Sequence, residues 1–227
     1  KEFAAIFQAA WKVVVEAPNL LDLRDKLDSV DTDKTMSRHT RWSKRRKILE
    51  ENGWMSGIDS FDSAVIRIRS ACYIVIASLS GCRNHELAFL HANACYRTID
   101  NDGETYWWMR SVSTKTGEGR TEWMIPLAAS EALKIMDRWA IPYQAALSAE
   151  IERRRQKNPN DLEIAEAQRH LGAIFVCRDS RRGPEGGRQV RTLTDRSWNV
   201  SLREFAKANG ITWKLATHQF RRTFANY

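Results

Sequence analysis

The stretch SAVIRIRSACYIVIASLSG, residues 63–81, is the strongest helix signal in the chain. Its apolar side chains recur at helical spacing and form one stripe, which consists of Val65, Ile68, Cys72, Val75, Ile76 and Leu79. Serines at 60 and 63 can cap the start of the helix, and Gly81 is a typical C-terminal stop. We therefore expect a helix over residues 63–79 that ends at Gly81.

The segments on both sides of this helix are also predicted to be mainly helical. Residues 3–15 have apolar side chains at helical spacing. Residues 29–54 are polar and strongly basic, which is typical either of a solvated connection or of a segment that contacts DNA. Further helices are expected over residues 84–92, 130–157 (past Pro142), 162–171, from a cap at Asp195 to Gly210, and from Thr217 onward.

Between these helices the pattern changes to that of β-strands. Residues 96–99 lead into Asp102-Gly103, a strong hairpin turn signal, and residues 104–112 follow. A second turn at 115–119 leads into residues 121–125, which gives a three-stranded antiparallel meander. The predicted fold class is therefore α+β, mainly α: one helical domain over residues 1–227 with a small three-stranded antiparallel sheet.

The composition limits the class of protein and its partners. Hydrophobic residues make up 43% of the 227 residues, enough for a sizeable core. Lysine and arginine outnumber aspartate and glutamate by 36 to 28, and this excess of +8 favours a polyanionic partner, nucleic acid first.

The cysteines Cys72, Cys82, Cys95 and Cys177 lack CxxC spacing, so we interpret them as reduced thiols of a cytoplasmic protein. No signal peptide is visible, and the apolar run 71–79 is too short to span a bilayer, so no membrane partner is expected.

Three short stretches carry residues suited to phosphate chemistry, and the first is the last helix, THQFRRTFA, residues 217–225. With Thr217 as the N-cap, His218, Arg221 and Arg222 share one face, and the two phenylalanines share the other. An arginine presents a bidentate fork to phosphate, and a histidine exchanges protons near neutral pH. The alternative is an ordinary surface face of a basic amphipathic helix.

The second stretch is SGCRNHEL, residues 80–87, where the apolar helix runs directly into an arginine. A cation in such apolar surroundings requires a partner, and Glu86 lies three residues after Arg83. The pair is either part of a site or a structural contact between two helices. The third stretch, STKTGEGR at 113–120, has Lys115 on a turn, where it can enter a substrate groove or remain a solvated charge.

Taken in order along the chain, these stretches resemble the tyrosine recombinase family of phage integrases and Xer-type resolvases. Residues 81–87 resemble its first arginine box, Lys115 its hairpin lysine, and residues 218–225 its second box, so the resemblance covers about 63–225. It implies the helical catalytic domain of a DNA breaking-rejoining enzyme, without the family's N-terminal core-binding domain. In three respects the chain departs from the family. Arg222 stands where a histidine is often found, and residues 142–171 look longer than the family minimum. The family's third histidine or tryptophan and its tyrosine nucleophile are expected beyond residue 227.

The resemblance also implies roles for individual residues. Arg83 and Arg221 would hold the non-bridging oxygens of a DNA phosphate, and Glu86 would position the first box. Lys115 would protonate the leaving oxygen, and His218 would assist proton transfer. The predicted DNA-binding residues are Arg45, Arg46, Lys47, Arg181, Arg182, Arg188 and Arg222. The implied reaction uses no metal or other cofactor, and the implied partners are double-stranded DNA and further copies in a tetramer on paired DNA sites.

The nucleophile is expected beyond the chain. In the family a tyrosine well past the second box attacks DNA, whereas Tyr227 follows Arg221 by six residues. On a helix that is a rotation of about 240°, so Tyr227 faces elsewhere. We therefore expect a piece of a longer protein that ends before its nucleophile segment. The alternatives are a type IB topoisomerase, a non-catalytic DNA-binding relative and a metal-dependent nuclease.

Overall fold

The structure, a computed structural model, describes residues 1–31, 35–113, 119–178 and 190–225. These ranges are mainly helical with a small three-stranded antiparallel sheet, which confirms the predicted fold class at that level. The helices are α1 (Glu2–Asp31), α2 (Arg38–Glu51), α3 (Ile58–Ser80), α4 (Asn84–Ala88), α5 (Leu127–Lys157), α6 (Leu162–Gln168), α7 (Asp195–Ala208) and α8 (Thr217–Phe224). The strands are β1 (Cys95–Ile99), β2 (Thr105–Ser113), β3 (Gly119–Ile125), β4 (Val176–Arg178) and β5 (Val190–Thr192).

Helix α3 is the centre of the core, and α1, α5, α7 and α8 pack around it. It begins at Ile58, five residues before the predicted start, and its residues 70–77 are buried without a break. A helix that is buried on all sides needs apolar or small side chains on every face, and this explains why the sequence signal is so strong. By length and composition α3 could also cross a membrane, but 72% of its most apolar window is buried inside the protein.

Helix α1 is twice as long as predicted and continues through Pro18 to Asp31. A proline inside a helix removes one hydrogen bond and costs about 3 kcal/mol. Leu21 and Leu27, beyond the proline, are fully buried in the core that α1 forms with α3. Because each buried leucine contributes about 1.5–3 kcal/mol, packing outweighs the local penalty.

Residues 29–54, for which the sequence left a solvated connection and a DNA-contacting segment open, contain a regular helix, α2, that the sequence did not predict. Ser37 caps it by accepting a hydrogen bond from the backbone N–H of Thr40 at 3.1 Å. Only Leu49 on this helix is buried, so its charged residues line the surface of a regular helix.

The predicted meander is confirmed, in the order β1-β2-β3 with antiparallel pairing throughout. The Asp100 carboxylate accepts hydrogen bonds from the backbone N–H groups of Asp102 and Glu104, and Gly103 adopts a φ of 82° in the turn. Met109 and Ile125 are buried and attach the sheet to the helical core. A second sheet, β4 paired with β5, was not predicted, because each of its strands has only three residues.

Several helix ends differ from the predicted positions. Thr194, not Asp195, is the N-cap of α7 and accepts a hydrogen bond from the N–H of Ser197 at 3.2 Å. Ala216, not Thr217, is the N-cap of α8, and Gln219 Oε1 accepts from the N–H of Ala216 at 2.8 Å. Helix α5 starts at Leu127 and runs through Pro142, while α4 and α6 end before the predicted residues 92 and 171.

Candidate phosphate-binding site

The first arginine box lies where α3 ends. Gly81 terminates the helix in the left-handed conformation, with a φ of 63° and a ψ of 13°. The ring of Phe224, from α8, lies against this glycine, and a Cβ added to Gly81 would stand 2.9 Å from Phe224 Cγ. Both the backbone conformation and the close approach therefore require glycine, and α8 is held directly beside residues 81–83.

Arg83 and Glu86 form the predicted pair. Arg83 Nη1 donates to Glu86 Oε1 at 3.0 Å, and the backbone N–H of Arg83 donates to Oε2 at 2.7 Å. The Glu86 side chain is 2% exposed, whereas that of Arg83 is 33% exposed. The buried carboxylate thus fixes both the backbone and the side chain of Arg83, and leaves part of its guanidinium accessible.

A hydrogen-bonded chain connects this box to α7. The hydroxyl of Tyr73 donates to Asn84 Oδ1 at 2.6 Å, and the Asn84 amide donates to the Asp195 carboxylate at the start of α7. The Tyr73 ring stacks on Trp198 with 4.0 Å between centroids. Burial raises the pKa of Tyr73, and the negative charge of Asp195 raises it further, so this hydroxyl stays protonated. Asn84 and Asp195 were not predicted as site residues, because they lie 111 positions apart and no local pattern links them.

Helix α8 has the predicted cationic face, but only one of its two phenylalanines is buried, because Phe224 lies in its last turn and is 48% exposed. Phe220 is fully buried, whereas His218, Arg221 and Arg222 are at least partly exposed. The N–H of Thr217 donates to Asn199 Oδ1 at 3.0 Å and so ties the start of α8 to α7. The cationic face of α8 is therefore held in place by its buried face and by its first turn.

Arg221 belongs to the same corner as the first box. The pKa of the Cys82 thiol is raised to about 12, because burial and the Glu86 carboxylate raise it more than a hydrogen bond with Ser80 and the charge of Arg221 lower it. The guanidinium of Arg221 therefore acts electrostatically on the residue next to Arg83. Arg221 also precedes Phe224 by about one helical turn, which is consistent with the contact at Gly81.

Lys115, Arg181, Arg182 and Arg188 lie outside the described residues, so their predicted roles stay predictions. The strand ends on either side of Lys115 are described, with Ser113 paired to Gly119. Ser111, on the same strand end, donates from Oγ to the backbone oxygen of Glu86 at 2.7 Å. Strand β2 thus passes beside the first box near the end of its described residues.

The three residues of α2 that were predicted to bind DNA are paired with carboxylates of the same chain. Arg45 contacts Asp31 and Asp62 at 3.3 and 3.4 Å. Arg46 binds Glu50 at 2.8 Å, and Lys47 lies 3.7 Å from Glu51. Arg46 and Lys47 remain largely exposed and can exchange these partners for phosphate, whereas Arg45 is held by two carboxylates at once.

None of the described tyrosines adjoins Arg83 in a hydrogen bond or a ring contact. Tyr73 is buried under α7, and Tyr96 and Tyr106 lie on the three-stranded sheet. Tyr143 stacks on Trp139 of α5 with 4.4 Å between centroids. Tyr227 lies outside the described residues.

Within residues 1–31, 35–113, 119–178 and 190–225, no group of three or more histidine, cysteine, aspartate or glutamate side chains is arranged to hold a metal ion. Comparison of the chain with protein-family models, with curated proteins and with solved structures gave no match.

Proposed function

We propose that this chain is the phosphate-binding part of a DNA strand transferase of the tyrosine recombinase type. The observation that carries the proposal is the contact between Phe224 and Gly81. It joins the end of α3, with Arg83, to α8, with His218 and Arg221, although the two boxes are more than 130 residues apart. Two arginines and a histidine on two segments joined in this way would suit a phosphodiester, whose two non-bridging oxygens carry the negative charge.

In the proposed reaction a tyrosine oxygen attacks the DNA phosphorus and the bond to the 5′ oxygen breaks. Arg83 and Arg221 stabilise the charge on the non-bridging oxygens, and Glu86 holds Arg83 in position. Lys115 donates a proton to the leaving 5′ oxygen, and His218 assists proton transfer at the phosphate. The tyrosine becomes linked to the phosphate, which conserves the phosphodiester energy for rejoining, and it is supplied from outside the described residues.

The proposed partner is double-stranded DNA, and the proposed assembly is a tetramer on paired sites in a cytoplasmic, nucleoid-associated protein. The charge of +8 supports the first of these, because phosphate neutralisation releases counterions. The exposed cations on α8 and α2 extend the charged surface beyond the corner of the two boxes.

A non-catalytic DNA-binding protein is the second candidate. The arrangement of the described tyrosines favours it, because each is buried or placed on the sheet or α5. Such a protein would use the same two arginines as a phosphate clamp without cleaving DNA.

A double-mutant cycle tests whether the two arginines hold one phosphate. Binding of a labelled duplex is measured for the original chain, Arg83→Met, Arg221→Met and the double variant at several salt concentrations. If both bind the same phosphate, the two losses will be non-additive, with a coupling free energy of about 0.5–3 kcal/mol. Arg169→Met is the matched control, because Arg169 is 74% exposed and pairs with its neighbour Glu166.

Additive losses, or no loss, would contradict a shared phosphate. Catalysis is tested on the protein from the complete reading frame, with suicide DNA substrates drawn from a library of sites. A denaturant-resistant adduct that disappears on replacing one tyrosine with phenylalanine supports the strand transferase, and DNA binding without an adduct supports the second candidate.

A further inference from the structure

A cleft of about 620 Å³ lies between α1, α2, α3, α5 and β4, away from the two arginine boxes. Its volume is within the range of sites for small molecules. The lining includes Arg24, Asp28, Asp62, Arg69, Tyr143 and Arg178, together with buried apolar side chains. Along α3, Arg69 precedes Gly81 by 12 residues, which is about 18 Å of helix.

Arg69 is an unusual residue for the middle of a core helix. It is only 6% exposed, and among the described residues no carboxylate pairs with it. Nη1 donates to the backbone oxygen of Val176 at 2.9 Å, while the buried Nε has no hydrogen-bond partner. Burial lowers the pKa of Arg69, which reflects the cost of keeping this cation out of water.

The surroundings of Arg69 compensate its charge only in part. The guanidinium lies 5.7 Å from the ring centroid of Trp139 and 6.0 Å from that of Trp198. Cation–π contacts of this kind contribute less than a buried carboxylate would. Arg69 therefore lines the cleft as a buried cation with no carboxylate partner among the described residues, an arrangement that an anion in the cleft would complete.

The carboxylates of the cleft already have partners of their own. Asp62 pairs with Arg45 at 3.4 Å, and Asp28 lies 3.9 Å from Arg24. Asp62 precedes Arg69 by seven residues, which places its backbone about 10 Å away along the helix. Among the described residues no ion pair or hydrogen bond joins either carboxylate to Arg69.

Arg178 adds a second cation near Arg69. It follows Val176, the acceptor of the Arg69 hydrogen bond, by two residues, and its guanidinium lies 5.7 Å from the ring centroid of Tyr143. In the described part of the chain it has no carboxylate partner either. Beside these two cations the buried side chains of Phe61 and Val65 form an apolar wall.

From this arrangement we propose that the cleft binds a small organic anion, whose carboxylate or phosphate group contacts Arg69 and Arg178 and whose body packs on the apolar wall. A small anion fits better than a duplex, because Arg69 is buried in the wall of a cleft of about 620 Å³, which is too small to admit a double helix. The proposal is independent of the DNA reaction, since neither Arg69 nor Arg178 has a role in that reaction.

The test uses the 227-residue chain labelled with ¹⁵N, with inorganic phosphate and benzoate as separate probes at constant ionic strength. The side-chain Nε–H resonance of Arg69 is followed, together with the amide resonances of Val176, Cys177 and Arg178. We expect at least one probe to shift these signals saturably at concentrations up to about ten millimolar. Saturation by benzoate alone identifies a carboxylate site, and saturation by phosphate alone identifies a phosphate site.

Arg69→Met should reduce the affinity of that probe at least tenfold, and Arg178→Met should reduce it severalfold, while the exposed control Arg169→Met leaves it unchanged. Circular dichroism verifies that each variant folds. If Arg69→Met does not fold, the affinity of Arg178→Met decides the test. Unmoved Arg69 and β4 signals with both probes, or an affinity unaffected by the folded variants, overturn the proposal. Shifts confined to His218 and the residues around Arg83 also overturn it but leave the proposed DNA function intact.

Discussion

The ring of Phe224 occupies the space that a side chain on Gly81 would need. This one contact determines both the end of α3 and the position of α8, because Gly81 also adopts a left-handed backbone conformation with a φ of 63°. The two halves of the candidate site therefore meet at a glycine.

Gly81→Ala should destabilise the chain by about 2–4 kcal/mol, since it adds steric overlap to the cost of a left-handed alanine. Gly210→Ala is the matched control, because Gly210 has a φ of 69° but no atom lies within 4 Å of the position that its Cβ would take, and it should cost about 1 kcal/mol. Urea unfolding measures both. Adding Phe224→Ala to Gly81→Ala should recover part of the loss, and equal losses for the two glycine variants would contradict the role of the ring.

Glu86→Ala should cost about 1–3 kcal/mol of folding free energy, because the upper value for a broken buried pair is reduced by the partial exposure of Arg83. It removes a carboxylate that is 2% exposed and accepts from both the side chain and the backbone of Arg83. The control is Glu122→Ala in the exposed pair with Arg110, which should cost less than about 1 kcal/mol. Urea unfolding of the two variants makes the comparison, and similar losses would show that burial of Glu86 contributes little.

If Arg222 neutralises one DNA phosphate, Arg222→Met should make duplex binding less dependent on salt. The slope of log K against log salt should become shallower by about 0.9. Arg222 is exposed on the same helix as Arg221. Fluorescence anisotropy at four or more salt concentrations gives the slope, with Arg169→Met as the control of equal charge change. An unchanged slope for Arg222→Met would remove this residue from the interface.

Alkaline pH should destabilise the fold through Cys82. Burial raises the pKa of its thiol to about 12 in the folded state, whereas an unfolded cysteine titrates near its ordinary value of 9.0. Between pH 9 and pH 12 the unfolded chain loses this proton more readily than the folded chain. The contribution of the protonated thiol to the free energy of unfolding is therefore fully present below pH 9 and is lost as pH rises towards 12. Cys82→Ala should reduce this fall by about 1.4 kcal/mol per pH unit, as measured by urea unfolding between about pH 9 and pH 11. Cys95→Ala, which removes a half-buried thiol, is the comparison, and an unaltered pH dependence in Cys82→Ala would refute the prediction.

The 227-residue chain should form no covalent adduct with DNA, even on a suicide substrate. The hydroxyl of Tyr73 is buried and donates to Asn84, and Tyr143 is packed against Trp139. Tyr96 and Tyr106 belong to the sheet, and Tyr227 is predicted to face away from Arg221. Denaturing gel electrophoresis with labelled DNA measures adducts, and an adduct mapped to any of these tyrosines would falsify the expectation that the nucleophile lies elsewhere.

Local patterns determined most of the secondary structure. The apolar stripe of α3, the Asp102-Gly103 turn of the meander and the buried Trp198, Leu202 and Phe205 of α7 all follow from spacing along the chain. The Arg83–Glu86 pair was equally predictable, because its members are three residues apart at the start of one helix.

Only the tertiary structure decided the features that depend on distant partners. Helix α1 continues through Pro18 because α3 covers its apolar side, and β4 pairs with a strand that begins 12 residues after its own end. The contacts of Asn84 with Asp195 and of Phe224 with Gly81 join segments more than 100 residues apart. Sequence spacing carries no information about such contacts, since their free energy comes from packing and charge pairing that exist only after the chain has folded. For the same reason the sequence determined that Arg69 lies in an apolar helix. Only the tertiary structure decided that its buried guanidinium forms no ion pair with a carboxylate of the described residues.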